Sequence, residues 1–196
     1  MVKICIVNYS TLEYDAVEKA RAAIERQVNE HFAPAWGRTA QLEIWSEGKQ
    51  LESGTWWITI SSDKSETDNP AYHVINRDSV PEARLFLESI AADGLEWTVM
   101  ASQEILEMLA NPGGNLYAMI PSRTGYDLYQ QEVCEPCSRD SKYIYEIDGV
   151  KVSDFVLPAW FEKYGHPEKA RFDHLGKISL PLYLWIEGQR ARVSSV

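Results

Sequence analysis

The strongest structural signal in the chain is the stretch Ser102-Gln103-Glu104-Ile105-Leu106-Glu107-Met108-Leu109-Ala110, which Asn111-Pro112-Gly113-Gly114 follows at once. Its residues are strong helix formers, Ser102 is available as an N-cap, and a proline with two glycines stops the helix abruptly. Side chains four positions apart share one face of a helix, so Gln103 and Glu107 can present their polar groups to one point, with Glu104 beside them. The stretch therefore predicts a helix on which three polar side chains lie close together.

The N-terminal part of the chain predicts a strand followed by an amphipathic helix. Residues 2–7 form an apolar run typical of a buried strand. Apolar residues then recur at helical spacing over 17–32. Asp15 and Glu18 resemble a capping box at the start of this helix, and Pro34 predicts its end.

Further strands are predicted on both sides of the motif helix, residues 102–110. Before it, the segments 40–44, 56–60, 72–75 and 83–88 have the composition of strands, with 72–75 as an edge strand. After it, Asp148-Gly149 is a strong hairpin signal within 143–152. The prediction is an α+β fold in a single domain, 1–196. One lobe, 1–112, holds a mixed sheet covered by an amphipathic helix and then the motif helix, and an irregular β-rich lobe spans 113–196.

Composition excludes several classes of protein. The chain has 19 Lys plus Arg and 29 Asp plus Glu, a formal charge of −10, and its cations are scattered, so no basic face for nucleic acid is expected. No apolar stretch approaches the roughly 20 residues of a membrane span, and the N-terminus does not resemble a signal peptide. A cytoplasmic location with protein partners is expected. Cys134 and Cys137 are interpreted as loop cysteines without a redox role, with a local disulfide as the alternative.

The spacing of Gln103, Glu104 and Glu107 matches that of the His-Glu-x-x-His zinc helix. In that motif the residues at i and i+4 bind zinc, and the Glu between them is the general base. Here Gln and Glu replace the two His, and a neutral amide is a poor zinc ligand. The alternative interpretation is a solvated pair of surface glutamates, which is common on helices.

The order of strand, long amphipathic helix, strands with an edge strand and motif helix resembles the N-terminal lobe of zincin metallopeptidases. Local patterns also make the chain similar to a group of zincin-like proteins of bacteria and phages, over the segments 27–37, 71–73, 97–112, 132–136 and 147–161. In that group the helix reads Ser-His-Glu-x-x-Glu-Met-Leu and is followed by Asp-Pro. This chain has Gln103 at the position of the His and Asn111 at the position of the Asp.

The resemblance implies an inherited but degraded zinc site. Glu104 takes the position of the general base, and Gln103, Glu107 and Glu132 take metal positions, so zinc is expected to bind weakly if at all. Glu132 is alternatively a surface carboxylate. His73, on the predicted edge strand, is either a further ligand on the substrate side of the site or a polar side chain with an ordinary partner.

Three functions remain open from the sequence. The first is a zincin-like fold with impaired or absent peptidase activity. The second is a phage virion structural or interaction protein on the same scaffold. The third is an active zinc-dependent hydrolase that uses Gln103, Glu107 and one distant ligand. The oligomeric state does not follow from the sequence.

Overall fold

The computed structural model describes residues 1–46, 48, 50, 52–67, 69–122, 125–138, 140–163, 166 and 170–186. Its strands are β1 (Val2–Tyr9), β2 (Ala40–Ile44), β3 (Trp56–Ser61), β4 (Ala71–Ile75), β5 (Pro81–Phe86), β6 (Tyr117–Ser122), β7 (Gly125–Gln130), β8 (Ile144–Ile147) and β9 (Val150–Ser153). Its α-helices are α1 (Tyr14–Arg26), α2 (Ala33–Trp36), α3 (Leu87–Ala92), α4 (Trp97–Ala110) and α5 (Pro158–Phe161), and residues 182–186 are also helical. The predicted α+β class is confirmed.

The main sheet has five strands in the order β2-β1-β3-β5-β4. β1, β2, β3 and β5 are mutually parallel where they pair, and β4 runs antiparallel to β5 at the edge. Residues 4–7 of the central strand β1 are all buried, as expected where a strand is covered on both faces. The edge position of β4 confirms the predicted edge strand, and His73 lies in it opposite Ala83.

The first helix differs from the prediction at both ends. Glu13 is the N-cap and makes no side-chain capping bond, so the capping box predicted at Asp15 is wrong. The helix also does not end at Pro34. It continues through a π-helical segment, Gln27–Phe32, into α2, where Pro34 lies in the first turn and its missing N–H is tolerated. Gly37 then ends it with φ of 69°, a left-handed conformation that favours glycine.

Two boundaries near the motif helix were also wrong. α4 begins at Trp97, five residues before Ser102, so Ser102 is not a cap. Its hydroxyl instead donates to the Val99 carbonyl and accepts a hydrogen bond from the Ser153 N–H at 2.8 Å. The predicted strand 83–88 stops at Phe86, because α3 starts at Leu87.

The C-terminal part contains two hairpins. The β8–β9 hairpin is confirmed, with positive φ at Asp148 and Gly149 as a tight Asp-Gly turn requires. The β6–β7 hairpin was missed by the sequence reasoning. Cys134 and Cys137 lie at a 3₁₀ turn as free, buried thiols, so the disulfide alternative is wrong. No helix in the described part of the chain is long and apolar enough to cross a membrane.

Packing ties the first helix to the C-terminal hairpin. α1 packs against β2, β8 and β9, while α4 packs against β4, β5 and β9. The buried Gln27 amide donates to the Ser153 carbonyl at 2.7 Å, and the Trp36 indole donates to the Val156 carbonyl at 3.0 Å. Strand β9 therefore contacts both long helices.

Candidate functional site

Two elements bring the predicted site residues together. α4 carries Gln103, Glu104 and Glu107, all of them buried, and the edge strand β4 carries His73 next to this helix. Glu132 follows β7 and is partly buried. The interpretation of Glu104 and Glu107 as a solvated surface pair is therefore wrong.

His73 is paired with Glu104. The ring Nδ1 lies 3.3 Å from Glu104 Oε2, with the two side chains only 6% and 4% exposed, and the ring also hydrogen-bonds the Asn111 backbone. Burial alone lowers the pKa of His73, but the hydrogen bond and the charge of Glu104 outweigh it and raise the pKa above its ordinary value. The His73 ring thus holds the Glu104 carboxylate, and this pairing favours the charged form of the ring.

Glu107 lies deeper than Glu104. Its Oε1 accepts a hydrogen bond from the Cys134 N–H at 3.2 Å. Burial, followed by the charges of Glu104 and Glu132, raises the pKa of Glu107 well above its usual range. The Glu107 carboxyl therefore retains its proton under conditions that ionise an exposed glutamate.

Glu132 contributes charge to this group. Burial and the charge of Glu135 raise its pKa, while the charge of His73 lowers it. Its own carboxylate in turn supports the protonated form of His73. The structure therefore places Glu132 within electrostatic reach of His73 and Glu104.

The donor atoms define one group that can accept a metal ion. Within the described residues, ligand atoms of His73, Glu104 and Glu107 all lie within 4.8 Å of one another. This trio differs from the set implied by the resemblance, Gln103, Glu107 and Glu132. That implied set does not fit zinc, because it offers an amide where zinc prefers imidazole or thiolate.

Gln103 lines a cavity that Glu104 of the trio also lines. The cavity has a volume of about 270 Å³ and lies between α4, the start of β4 and the segment after β7. Gln103 is 8% exposed, and the fully buried side-chain atoms that lack a hydrogen bond in the described part of the chain lie elsewhere, at Gln27 Oε1 and Asp154 Oδ2. The cavity has apolar walls, formed by Leu95, Val99, Met100 and Ile144, and its charged lining residues in the described ranges are Glu96, Glu104 and Glu135.

Asn111 is a site residue whose role the sequence did not show. Its side-chain oxygen accepts from the Asn115 and Leu116 N–H groups, and its amide donates to the Leu116 carbonyl. An aspartate cannot make the last bond. Asn111 thereby fixes the turn after α4 and the carbonyl that His73 contacts. The sequence offered one indication of this role, because Asn111 stands where the zincin-like group has Asp.

A second buried carboxyl pair lies in the C-terminal part. Asp154 accepts from the N–H groups of Phe155 and Leu175, and Asp173 accepts from those of Lys177 and Ile178. Burial and then the facing Asp173 raise the pKa of Asp154 to about 8. The two carboxyl groups therefore share a proton at neutral pH.

Comparison with known proteins adds no relative. No family model, no curated protein and no solved structure matches this chain. The functional argument therefore depends on the site itself.

Proposed function

We propose that this chain is a zincin-like protein without peptidase activity, whose cleft beside β4 binds an extended polypeptide segment. The observation that carries the proposal is the pairing of His73 with Glu104 next to an amide, Gln103, at the first zinc position. A zincin general base must be free to take a proton from a metal-bound water. Glu104 is held by His73, and Gln103 cannot replace an imidazole as a ligand.

The edge strand of the sheet supports the proposed binding of an extended polypeptide. In the order β2-β1-β3-β5-β4, strand β4 has β5 on one side and is the last strand on the other. An edge strand presents backbone N–H and C=O groups that an extended polypeptide can pair with. The cavity lined by Gln103 opens beside the start of this strand, so a bound segment can place a side chain in it.

The test compares wild type with Gln103→His. The variant regains two strong donors one helical turn apart, and a ligand at a hundredfold excess over Kd stabilises a folded protein by about 2.7 kcal/mol. For a chain of this size we expect zinc to raise the Tm of the variant by about 5 to 10 °C, and that of wild type by less than about 1 °C. Wild type should also fail to cleave a casein substrate with zinc present.

Two results contradict the proposal. Zinc-dependent cleavage of casein by wild type, abolished in Glu104→Gln, identifies an active peptidase. A zinc-dependent rise in the Tm of wild type that His73→Asn removes identifies the His73, Glu104 and Glu107 trio as a working metal site.

A second candidate is a structural or interaction protein, such as a virion component. The observation that favours it is the apolar face of the β6–β7 hairpin, where Met119, Tyr126 and Leu128 are 62%, 64% and 67% exposed. The register places Met119 opposite Leu128 and Pro121 opposite Tyr126, so these side chains share one face. If this face mediates association, Met119→Lys abolishes assembly in sedimentation experiments, and Gln41→Lys on the exposed face of β2 does not.

A further inference from the structure

A second cavity lies in the C-terminal part of the molecule, away from the cleft beside β4. It has a volume of about 350 Å³, which is within the usual range for ligand pockets. Residues of the 3₁₀ turn Ser141–Tyr143, of the segment 177–180 and of the helical residues 182–186 line it. None of the described residues that line it also lines the cavity beside α4, so the proposed function leaves this cavity without a role.

The charge of this cavity is positive. Its charged lining residues in the described ranges are Lys142 and Lys177, with no carboxylate among them. The Lys177 ammonium donates to the Lys142 carbonyl and forms no ion pair with the described part of the chain. A cleft lined by charges of one sign attracts ligands of the opposite sign, so this cavity favours an anion.

Asp140 reduces the positive charge but does not remove it. Its carboxylate lies 3.1 Å from the Lys142 ammonium, and both side chains are exposed. An exposed ion pair of this kind is weak, and Asp140 does not line the cavity. Two ammonium groups therefore have one nearby carboxylate between them, and an anion in the cavity can bind both.

The walls of the cavity are aromatic, and contacts within the fold position them. Trp160 is fully buried, and its indole N–H donates to the Leu180 carbonyl at 3.1 Å. Trp185 packs against Trp160 in an edge contact, with the ring centroids 6.3 Å apart. The Lys142 ammonium lies over the ring of Tyr143, 4.7 Å from its centroid. A flat ring of a ligand can therefore pack against aromatic side chains that are already ordered.

The buried aspartate pair positions one side of the cavity. Asp173 accepts hydrogen bonds from the N–H groups of Lys177 and Ile178, both at 2.9 Å. These bonds fix the backbone from which Lys177 and Ile178 reach the cavity. Binding therefore costs less ordering of the chain than it would on a mobile loop.

From these features we propose that the cavity binds a small aromatic carboxylate. The ligand carboxylate accepts hydrogen bonds from the ammonium groups of Lys177 and Lys142. Its ring packs against Tyr143 and Trp185, and the hydroxyl of Ser179 in the same lining is a further donor. The lysines repel an organic cation, and an inorganic anion has no ring to pack against the aromatic walls.

The first experiment compares phenylacetate, the neutral phenylacetamide and 2-phenylethylammonium on the full wild-type chain. The indole N–H signal of Trp185 in ¹H–¹⁵N spectra, assigned with Trp185→Phe, reports binding at this cavity. We expect phenylacetate to shift this signal and to bind at least about fivefold more tightly than either other compound, because its carboxylate makes charge-assisted hydrogen bonds. Equal affinity for phenylacetamide, or no shift of the Trp185 signal, overturns the proposal.

Acetate tests the aromatic part of the proposal. It has the carboxylate of phenylacetate and lacks the ring. We expect acetate to bind at least about fivefold more weakly than phenylacetate, because burial of an apolar ring contributes to binding. Equal affinity for acetate shows a site for any carboxylate and overturns the role of the aromatic walls.

Matched variants test the role of the unpaired lysine. Lys177→Gln keeps most of the side chain and removes its charge, and Lys64→Gln makes the same change at an exposed position in the N-terminal part of the chain. We expect Lys177→Gln to weaken phenylacetate binding at least about fivefold and Lys64→Gln to leave it unchanged. Unchanged affinity in Lys177→Gln overturns the proposed contact with Lys177.

Asp140→Asn should change the affinity in the opposite direction. Asn keeps the side-chain oxygen that accepts from the Lys142 N–H, so the turn is retained while the competing charge is removed. We expect phenylacetate to bind this variant about two- to fivefold more tightly than wild type, as the strength of an exposed ion pair implies. Unchanged or weaker binding overturns the proposed contact with Lys142.

Discussion

The chain buries carboxyl groups in two regions that differ in what surrounds them. Asp154 and Asp173 receive four backbone N–H groups from the segments around them. Glu104 and Glu107 receive one backbone N–H, from Cys134, and an imidazole from His73. Glu104 and Gln103 both line the cavity beside α4.

This difference separates two ways of burying carboxyl groups. Backbone N–H groups donate to three of the four carboxyl oxygens of the aspartate pair and hold the loop after Asp173 in place, and Asp154 Oδ2 is buried without a hydrogen-bond partner. The glutamates have fewer backbone donors, and His73 is paired with one of them. A raised pKa marks both regions, at Glu107 and at Asp154, so the surrounding donors and the open volume distinguish them better than the titration does.

Asp173→Ala is expected to have the largest effect on stability. The change removes an acceptor of two backbone hydrogen bonds, each worth about 1.5–3 kcal/mol for a charged group. We expect the free energy of unfolding to fall by about 3–5 kcal/mol in urea titrations. Asp78→Ala, in an exposed turn, is the control and should cost less than about 0.5 kcal/mol. A small loss in Asp173→Ala would show that the pair does not hold its loop.

The pH dependence of the stability of Asp154→Asn tests whether Asp154 and Asp173 share a proton. An unfolded aspartate titrates near pH 4 and Asp154 in the fold at about 8, so between these values the folded protein holds a proton that the unfolded chain releases. Wild-type stability should therefore fall as pH rises through this window and stop falling above it. We expect the wild type to lose up to about 5 kcal/mol relative to Asp154→Asn between pH 4 and pH 8, because each unit of pKa shift is worth about 1.4 kcal/mol.

The measurement is urea unfolding of both proteins at several pH values. Asn keeps the side-chain oxygen that accepts from Phe155 and Leu175, and its amide can donate to Asp173. Parallel pH profiles for the two proteins would rule out a shared proton.

Gln103→Met is expected to have the smallest effect on stability, and it should stabilise the protein. Replacing an amide that lines a cavity, and that makes no hydrogen bond to the described residues, by an apolar side chain of similar length should raise the free energy of unfolding by less than about 1 kcal/mol. Thermal and urea unfolding of the variant without added ligand measure this gain. A loss of stability would show that the Gln103 amide is satisfied within the fold, and the contrast between the two regions would weaken.

The sequence predicted most of the fold because its strands and helices carry strong periodic patterns. Strands 40–44 and 56–60, the edge strand at 72–75 and the Asp148-Gly149 hairpin are at or near their predicted places. The end of the first helix was wrong because Pro34 lies in a first turn, where proline is compatible with helix. The β6–β7 hairpin was missed because its apolar residues lie on an exposed face, where no core pattern forms.

The site was predictable only in part. Helical spacing places Gln103, Glu104 and Glu107 on one element, and the edge strand places His73 near it. The pairing of His73 with Glu104 depends on how β4 packs against α4, which spacing along the chain does not specify. The surroundings of Gln103 depend on the shape of a cavity formed by four separate segments.

The bonds from Gln27 to the Ser153 carbonyl and from Trp36 to the Val156 carbonyl have a consequence for folding. They span 126 and 120 positions of the chain, so the first helix cannot complete its contacts until the last third of the protein has been synthesised. Contacts of such long range slow folding and leave apolar surface exposed during translation. We expect nascent chains that stop near residue 112 to remain sensitive to protease, and protection to arise only once β9 has left the ribosome.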